Sequence, residues 1–287
     1  MDITVITPFY KGNAYMQGLF ACISRCAQKV PHLQIELLLV NDSPDCAISY
    51  EPHWVQGFSL QICINPENAG IHRSRVNGLN AAKGEFIQFL DQDDLLEEDT
   101  FVTQYPLIQN ADVAVANGFD QNPHCRGPIY KSLCHQQQAI HDRFYYTVGN
   151  QIVSPGQCLI RKSTIPKSWY DTCIHRNGSD DLLLWLMMFR ENARFVLNPR
   201  QLYTHVETGH NVSADIEKMF LSSQEVLDLL KSTGAITPEQ EKCFLRSRAM
   251  GRRYAGKGKF QKVFAMLCYP DVALERLTLQ RYKKIRS

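Results

Sequence analysis

The chain of 287 residues holds ten cysteines but no Cys-x-x-Cys pair, so its spacing offers neither a zinc ribbon nor a dithiol redox motif. Reduced thiols that serve mostly as packing groups are expected. Long apolar runs are also missing. The longest, Leu182 to Phe189, spans eight residues, against the roughly 20 that a bilayer-crossing helix requires. No basic, apolar, small-residue leader precedes the run Ile3–Thr7, and a secretory signal is therefore not expected. Nor is one sign of charge in excess: 31 Lys and Arg face 29 Asp and Glu, a formal net charge of +2. That balance gives no reason to expect nucleic acid as a partner. No internal repeat is found, and Gln136–Gln138 is too short to count as low complexity. With 44% hydrophobic and 21% charged residues the composition is that of an ordinary globular protein. A cytoplasmic location is expected, either free or peripheral at the inner face of a membrane.

The first 120 residues alternate two kinds of segment. Ile3–Thr7, Ile35–Val40, Leu60–Ile64, Glu85–Leu90 and Val113–Ala116 are short apolar runs that read as strands. Between them, Asn13–Gln28, Ile71–Ala82 and Glu97–Ile108 have helical spacing. Strands apolar on both faces and separated by helices predict a mostly parallel sheet covered on both sides. Ligands of such sheets lie at the carboxyl ends of the strands. Those ends carry Pro8-Phe9-Tyr10, Asn41-Asp42, Asn65-Pro66-Glu67-Asn68 and Asp91-Gln92-Asp93-Asp94. Periodicity is lost from Gly118 to Tyr146, which predicts an insertion or acceptor-facing loops. Further on, Gln157–Arg161 reads as a strand, Asp181–Arg190 as a strongly apolar helix, and 213–287 as three or four helices.

The acidic run after the fourth strand carries the most chemistry. At strand periodicity Asp91 and Asp93 point to one side, where two carboxylates repel unless a cation stands between them. A hard divalent ion that keeps room for phosphate oxygens is the natural occupant. Asp94 is assigned instead to capping the helix that contains Glu97 and Glu98.

Read together, Thr7-Pro8-Phe9-Tyr10, Val40-Asn41-Asp42-Ser43, Asn68-Ala69-Gly70 with Arg75, and Phe89-Leu90-Asp91-Gln92-Asp93-Asp94 resemble the nucleotide-sugar half of family-two glycosyltransferases. Downstream, Gly178-Ser179-Asp180-Asp181 before Leu182–Leu186 resembles that family's Glu-Asp motif, with Asp180 in the Glu position. The resemblance implies a GT-A, Rossmann-like α/β fold with a mixed, mainly parallel sheet over residues 1–213. Within it, 1–120 would be the nucleotide-sugar half and 121–213 the acceptor half, followed by a helical, basic extension over 214–287. It implies an inverting hexosyl- or N-acetylhexosaminyltransferase of the bacterial surface-polysaccharide type. The donor would be a UDP-sugar, the acceptor a glycan such as a polyprenyl-diphosphate-linked saccharide, and the cofactor Mn²⁺ or Mg²⁺.

Residue by residue, the resemblance assigns Asp42 to the N3–H of uracil, and Pro8 and Tyr10 to the wall of the base pocket. Asn68, Gly70, Arg75, Asp91 and Gln92 would line the nucleotide sugar, Arg75 beside the diphosphate. Asp93 and His205 would hold the metal, with His210 as a rival to His205. Asp181 would take the proton of the acceptor hydroxyl, with Asp180 and Gln157 on the acceptor side. Two other readings remain: a sugar-nucleotide pyrophosphorylase, for which Thr7–Gly12 lacks the Gly-rich phosphate loop, and a nucleotide- or glycan-binding protein without turnover.

The last segment, 246–287, holds twelve Lys or Arg against two acids, Asp271 and Glu275. Interleaved with Phe260, Val263, Phe264, Met266 and Leu267, these cations form either a solvated helical face or a basic amphipathic surface for anionic lipid.

Overall fold

The computed structural model describes residues 1–209, 215–254 and 258–284. The amino-terminal part alternates as its sequence predicts: β1 (Ile3–Phe9), α1 (Met16–Lys29), β2 (Ile35–Asn41), β3 (Ser59–Ile64), α2 (Gly70–Ala81) and β4 (Phe86–Phe89). The three strands β1, β2 and β4 are buried almost throughout, which is why they read as continuous apolar runs rather than alternating ones. A two-residue strand β5 (Leu95–Leu96) precedes α3 (Thr100–Ile108).

The aperiodic stretch from Gly118 to Tyr146 is folded after all. It contains the end of β6 (Val113–Asn122), the hairpin strand β7 (Cys125–Pro128) and two short helices, α4 (Leu133–Gln136) and α5 (Asp142–Thr147). Next come β8 (Cys158–Arg161), α6 (Lys167–Asp171) and α7 (Asp180–Arg190), and then a strand of twelve residues, β9 (Phe195–Val206), that sequence reasoning missed. Helices α8 (Ile216–Ser232), α9 (Pro238–Tyr254), α10 (Lys259–Cys268) and α11 (Pro270–Lys284) complete the chain. None of the described helices is long and apolar enough to cross a membrane.

Among the described residues, all nine strands join one sheet in the order β3-β2-β1-β4-β8-β6-β9-β5, with β7 paired to β6. β3, β2, β1 and β4 run parallel; β8 is antiparallel to both β4 and β6, and β9 returns parallel to β6. The sequence order reverses at β1, which lies between β2 and β4. A crevice opens there at the carboxyl ends of the strands.

Side-chain alternation splits the core into two layers. Ile6, Leu38, Val40, Ile87 and Phe89 face α2 and α7. Val5, Phe9, Leu37, Leu39 and Leu90 face α1 and α3. Helix α7 is buried from Asp180 to Met188, which explains its apolar sequence on every side. Val226, Leu227 and Leu230 of α8 and Phe244 of α9 belong to the same core cluster as α7, whereas Met250, Val272 and Ala273 form a small separate cluster with Met266 of α10. All ten cysteines are free thiols, and Cys22, Cys26 and Cys158 are buried.

Candidate active site

A cleft of about 760 Å³ lies at the reversal point of the sheet. Its wall brings together eleven of the residues singled out by sequence: Pro8, Tyr10, Asp42, Asn68, Arg75, Asp91, Gln92, Asp93, Asp180, Asp181 and His205.

Asp42 follows β2 and is buried, yet reaches the cleft. Its Oδ1 accepts from Asn65 Nδ2 at 2.7 Å and from the Ala69 backbone N–H at 2.8 Å, while Oδ2 accepts from the Gly70 N–H at 2.9 Å. Three donors thus order the loop that carries Asn68. A carboxylate has about four acceptor sites, so Asp42, which lines the cleft, keeps capacity for one further donor. Gly70 does not itself line the cleft; it holds the turn into α2 with a φ of +82°, a conformation that favours glycine.

The loop after β1 is held from two sides. Tyr10 N–H donates to Gln92 Oε1 at 2.9 Å, and Gln92 Nε2 donates back to the Tyr10 carbonyl at 3.2 Å. Lys11 N–H donates to Ser43 Oγ at 3.0 Å. A Cβ on Gly12 would fall 2.1 Å from Gln92 Oε1, so any larger residue there would displace that amide. Lys11 and Tyr15 line the cleft as well and were not found by sequence reasoning, which had no motif to attach to them.

The acidic run departs from strand geometry. β4 ends at Phe89, and the Asp94 N–H donates to the Asp91 carbonyl at 3.1 Å, so residues 91–94 form a turn. Asp91 and Asp93 both reach the cleft, by way of the turn and not by strand alternation. Asp94 is not a helix cap. It is buried, accepts from the Tyr203 hydroxyl and from the Val206 N–H at 3.0 Å, and lies 3.2 Å from His205 Nδ1. It therefore binds this turn to β9, and α3 begins at Thr100 after Asp99.

Arg75 does more than line the cleft. The residue is 3% exposed and its guanidinium donates to Asp91 Oδ1 and to Asp180 Oδ2, each at 2.6 Å. These partners exclude a solvated helix face. Arg75 thus ties the loop after β4 to the start of α7 while lining the cleft, and its buried Nε has no hydrogen-bond partner among the described residues. Asp180 is long enough for this contact although it replaces a Glu.

Asp181 begins the first turn of α7, behind Ser179 and Gly178. Its Oδ1 accepts from the Leu182 N–H at 2.7 Å and its Oδ2 from Asn150 Nδ2 at 2.7 Å. Burial, followed by the neighbouring Asp180 charge, pushes its pKa up to about 7, against the opposing pull of Arg75. Asn150 was not recognised from sequence because no motif includes it and its partner Asp181 lies 31 residues away. Gln157 requires a correction. It is fully buried, donating from Nε2 to the Ala116 carbonyl at 3.0 Å and accepting from the Val153 N–H at 2.8 Å, so Val153, Ser154 and Pro155 form that wall instead.

Asp93 lacks an ion pair among the described residues. Burial and the charges of Asp94 and Asp91 raise its pKa to about 6. His205 is raised to about 9, chiefly by its hydrogen bond to Asp94, and a proton on the ring competes with any metal for the same lone pair. Among the described residues no three His, Cys, Asp or Glu side chains gather closely enough to hold a metal. A divalent ion fits here only as one bound by one or two protein groups and completed by substrate phosphates, a usual arrangement for Mg²⁺. His210, the rival candidate, lies outside the described residues.

The sequence profile described as Glycosyl transferase family 2 matches residues 4–167, more than half of the chain. This chain belongs to glycosyl transferase family 2. Among curated relatives of this family member, glycosyltransferase GlyA of Streptococcus pneumoniae is 30% identical over 155 residues, covering 50% of this chain and 22% of GlyA. The minor teichoic acid biosynthesis protein GgaB of Bacillus subtilis is 36% identical over 102 residues, covering 35% of this chain and 11% of GgaB. The chain thus spans a small part of the length of either relative. Among solved structures, S. aureus TarS 1–349 in complex with UDP-GlcNAc superposes with a TM-score of 0.64 at 18% identity, over 96% of this chain and 82% of TarS 1–349. At that identity the likeness establishes the fold, which is GT-A.

Proposed function

We propose that the chain transfers a sugar from a UDP-sugar to a hydroxyl of a glycan acceptor, with inversion at the anomeric carbon. The observation that carries this reading is Asp181: a carboxylate with its pKa near 7, at the start of a buried helix, in one cleft with Asp42, Asp91 and Asp93. An acceptor hydroxyl must lose its proton as it attacks, and a base poised near neutral pH takes that proton in the transition state. Asn150 and the Leu182 N–H fix the orientation of the carboxylate.

On the donor side, the remaining acceptor capacity of Asp42 would receive the uracil N3–H, with Pro8 and Tyr10 beside the base. The diphosphate would lie toward Asp93 and His205, which would hold Mn²⁺ or Mg²⁺. That ion would neutralise the charge growing on the leaving group. The names of the relatives, a teichoic acid biosynthesis protein among them, favour a bacterial surface glycan, for instance one linked to polyprenyl diphosphate, as acceptor. TarS bound to UDP-GlcNAc favours an N-acetylhexosaminyl or hexosyl donor.

The test is thermal melting with a panel of UDP-sugars, in Mn²⁺ and again in EDTA, followed by UDP release with an acceptor glycan. A ligand at 100 times its Kd adds about 2.7 kcal/mol of stability, so the preferred donor should raise Tm by several degrees in Mn²⁺ alone. Stabilisation by no UDP-sugar would overturn the reading of the donor. Equal stabilisation in EDTA would overturn the metal alone, and bound donor without UDP release would leave a binding protein.

A further inference from the structure

Helix α10 leaves its largest apolar side chains outside any core. Phe260 is 93% exposed, Val263 55%, Phe264 62% and Leu267 73%. Their spacing of three, four and seven residues places them on one face of the helix. The opposite face is occupied: Ala265 is buried and Met266 packs against the cluster of Met250, Val272 and Ala273. Residue for residue the helix is amphipathic, but the side turned to solvent is apolar. Exposed apolar residues in a contiguous set mark an interaction surface.

Electrostatics decides what covers this face. Both acids of segment 246–287 are already neutralised, Asp271 by Arg246 at 2.6 Å and Glu275 by Arg143. Several cations of the segment are likewise engaged within the fold: Arg248 lies over the Phe220 and Phe244 rings, and Arg276 is largely buried and donates to the Ser247 carbonyl. Arg252, Arg253 and Arg281 remain exposed. Arg252 faces Glu217 at 3.5 Å. Arg253 stacks over Tyr269 and donates to Cys268 Sγ at 3.6 Å, at the carboxyl end of α10. The helix itself has no Asp or Glu and carries Lys262, and Arg253 sits at its carboxyl end, so the cations beside the apolar stripe meet no free acid of their own segment. A second copy would present the same cations to these and be repelled. An anionic surface with an apolar layer beneath complements both features.

We propose that α10 is an interfacial helix that inserts Phe260, Val263, Phe264 and Leu267 into the headgroup and acyl boundary of an anionic phospholipid bilayer. Helices of this type lie in the plane of the interface with the apolar face buried about 5–10 Å deep, and their affinity adds apolar burial to attraction for anionic lipid. This reading is independent of the activity proposed above.

The experiment is co-sedimentation of the full chain with vesicles of phosphatidylcholine, with or without phosphatidylglycerol, beside light scattering of the free protein. Wild type is expected to sediment with the anionic vesicles at low salt. Binding should be roughly tenfold weaker without the anionic lipid and in about 1 M NaCl, where screening reaches about 3 Å. Phe260→Gln/Phe264→Gln/Leu267→Gln should lower binding by at least about tenfold with an unchanged circular dichroism melt, because these side chains lie outside the core. Arg252→Gln/Arg253→Gln should weaken both binding and its salt dependence without abolishing either. Failure of wild type to bind anionic vesicles at low salt, or equal binding by the triple variant, would overturn the proposal. So would a dimer of the free protein that the triple variant dissolves, since the stripe would then serve self-association.

Discussion

Asp91 and Asp180 share the Arg75 guanidinium at 2.6 Å each, whereas Asp93 and Asp181, in the same cleft, have no ion pair among the described residues. The first two fasten the loop after β4 to the first turn of α7. Burial raises the pKa of Asp91 as well, against the pull of Arg75. The second two have pKa values pushed up to about 6 and about 7 without an ion pair of their own, and they are the groups placed to receive something from outside, a cation or a proton. The ion pair with Arg75, not burial, separates the two sets.

The largest effect should come from removing the free base. Asp181→Asn keeps the shape and the Asn150 contact region but cannot accept the proton, and transfer should fall by about 10²–10⁴ while calorimetry shows unchanged donor binding. Retention of near wild-type turnover would place the base elsewhere and erase the contrast between the pairs. Next comes the bridge. Arg75→Met leaves two carboxylates facing each other without a cation, and breaking a buried pair in this way costs about 3–5 kcal/mol. Urea denaturation should show that loss, and Arg75→Met/Asp180→Asn should recover part of it, because only one charge then stays uncompensated. A loss below about 1 kcal/mol would mean that solvent reaches the bridge.

The smallest effect is on pH dependence, and here activity and stability run in opposite directions. As the proposed base, Asp181 would act only when ionised, so kcat/KM should fall about tenfold per pH unit below about 7. Its folded pKa is raised above the ordinary 3.8, so the folded state binds the proton more tightly than the unfolded one. The resulting stabilisation is complete below pH 3.8 and is lost as pH rises through about 7. Asp181→Asn should therefore melt above wild type at pH 8 by a few degrees, with the gap closing toward pH 5. A constant gap across that range would show that Asp181 does not titrate there.

Much of the amino-terminal half was legible because its information is local. β1, β2 and β4 are continuous apolar runs, and the polar groups at their ends mark the cleft. β9 was missed for a physical reason: Asn198 pairs with Ala116 and Gln201 with Asn117, so Pro199 and Arg200 are left out of the ladder as a bulge. Proline, lacking an N–H, is tolerated at such a place, but it breaks the pattern a reader follows. For Arg75, Asp94 and Gln157 another obstacle hid the partners. Their partners lie 105, 109 and 41 residues away, and no local pattern states that a charged or amide side chain will be enclosed by distant ones. The cleft was thus readable as a set of residues, while the division of labour among them was not.

The paired hydrogen bonds between Gln92 and the Tyr10 backbone act as one extra rung beyond the point where β1 and β4 stop pairing. A side-chain amide there imitates a peptide group, offering a donor and an acceptor in the same geometry as a neighbouring strand. In terms of time, the amide proton of Tyr10 should exchange with water more slowly than that of an ordinary surface loop, although its side chain is open to solvent, and the Lys11 N–H, which donates to Ser43 Oγ, should do likewise.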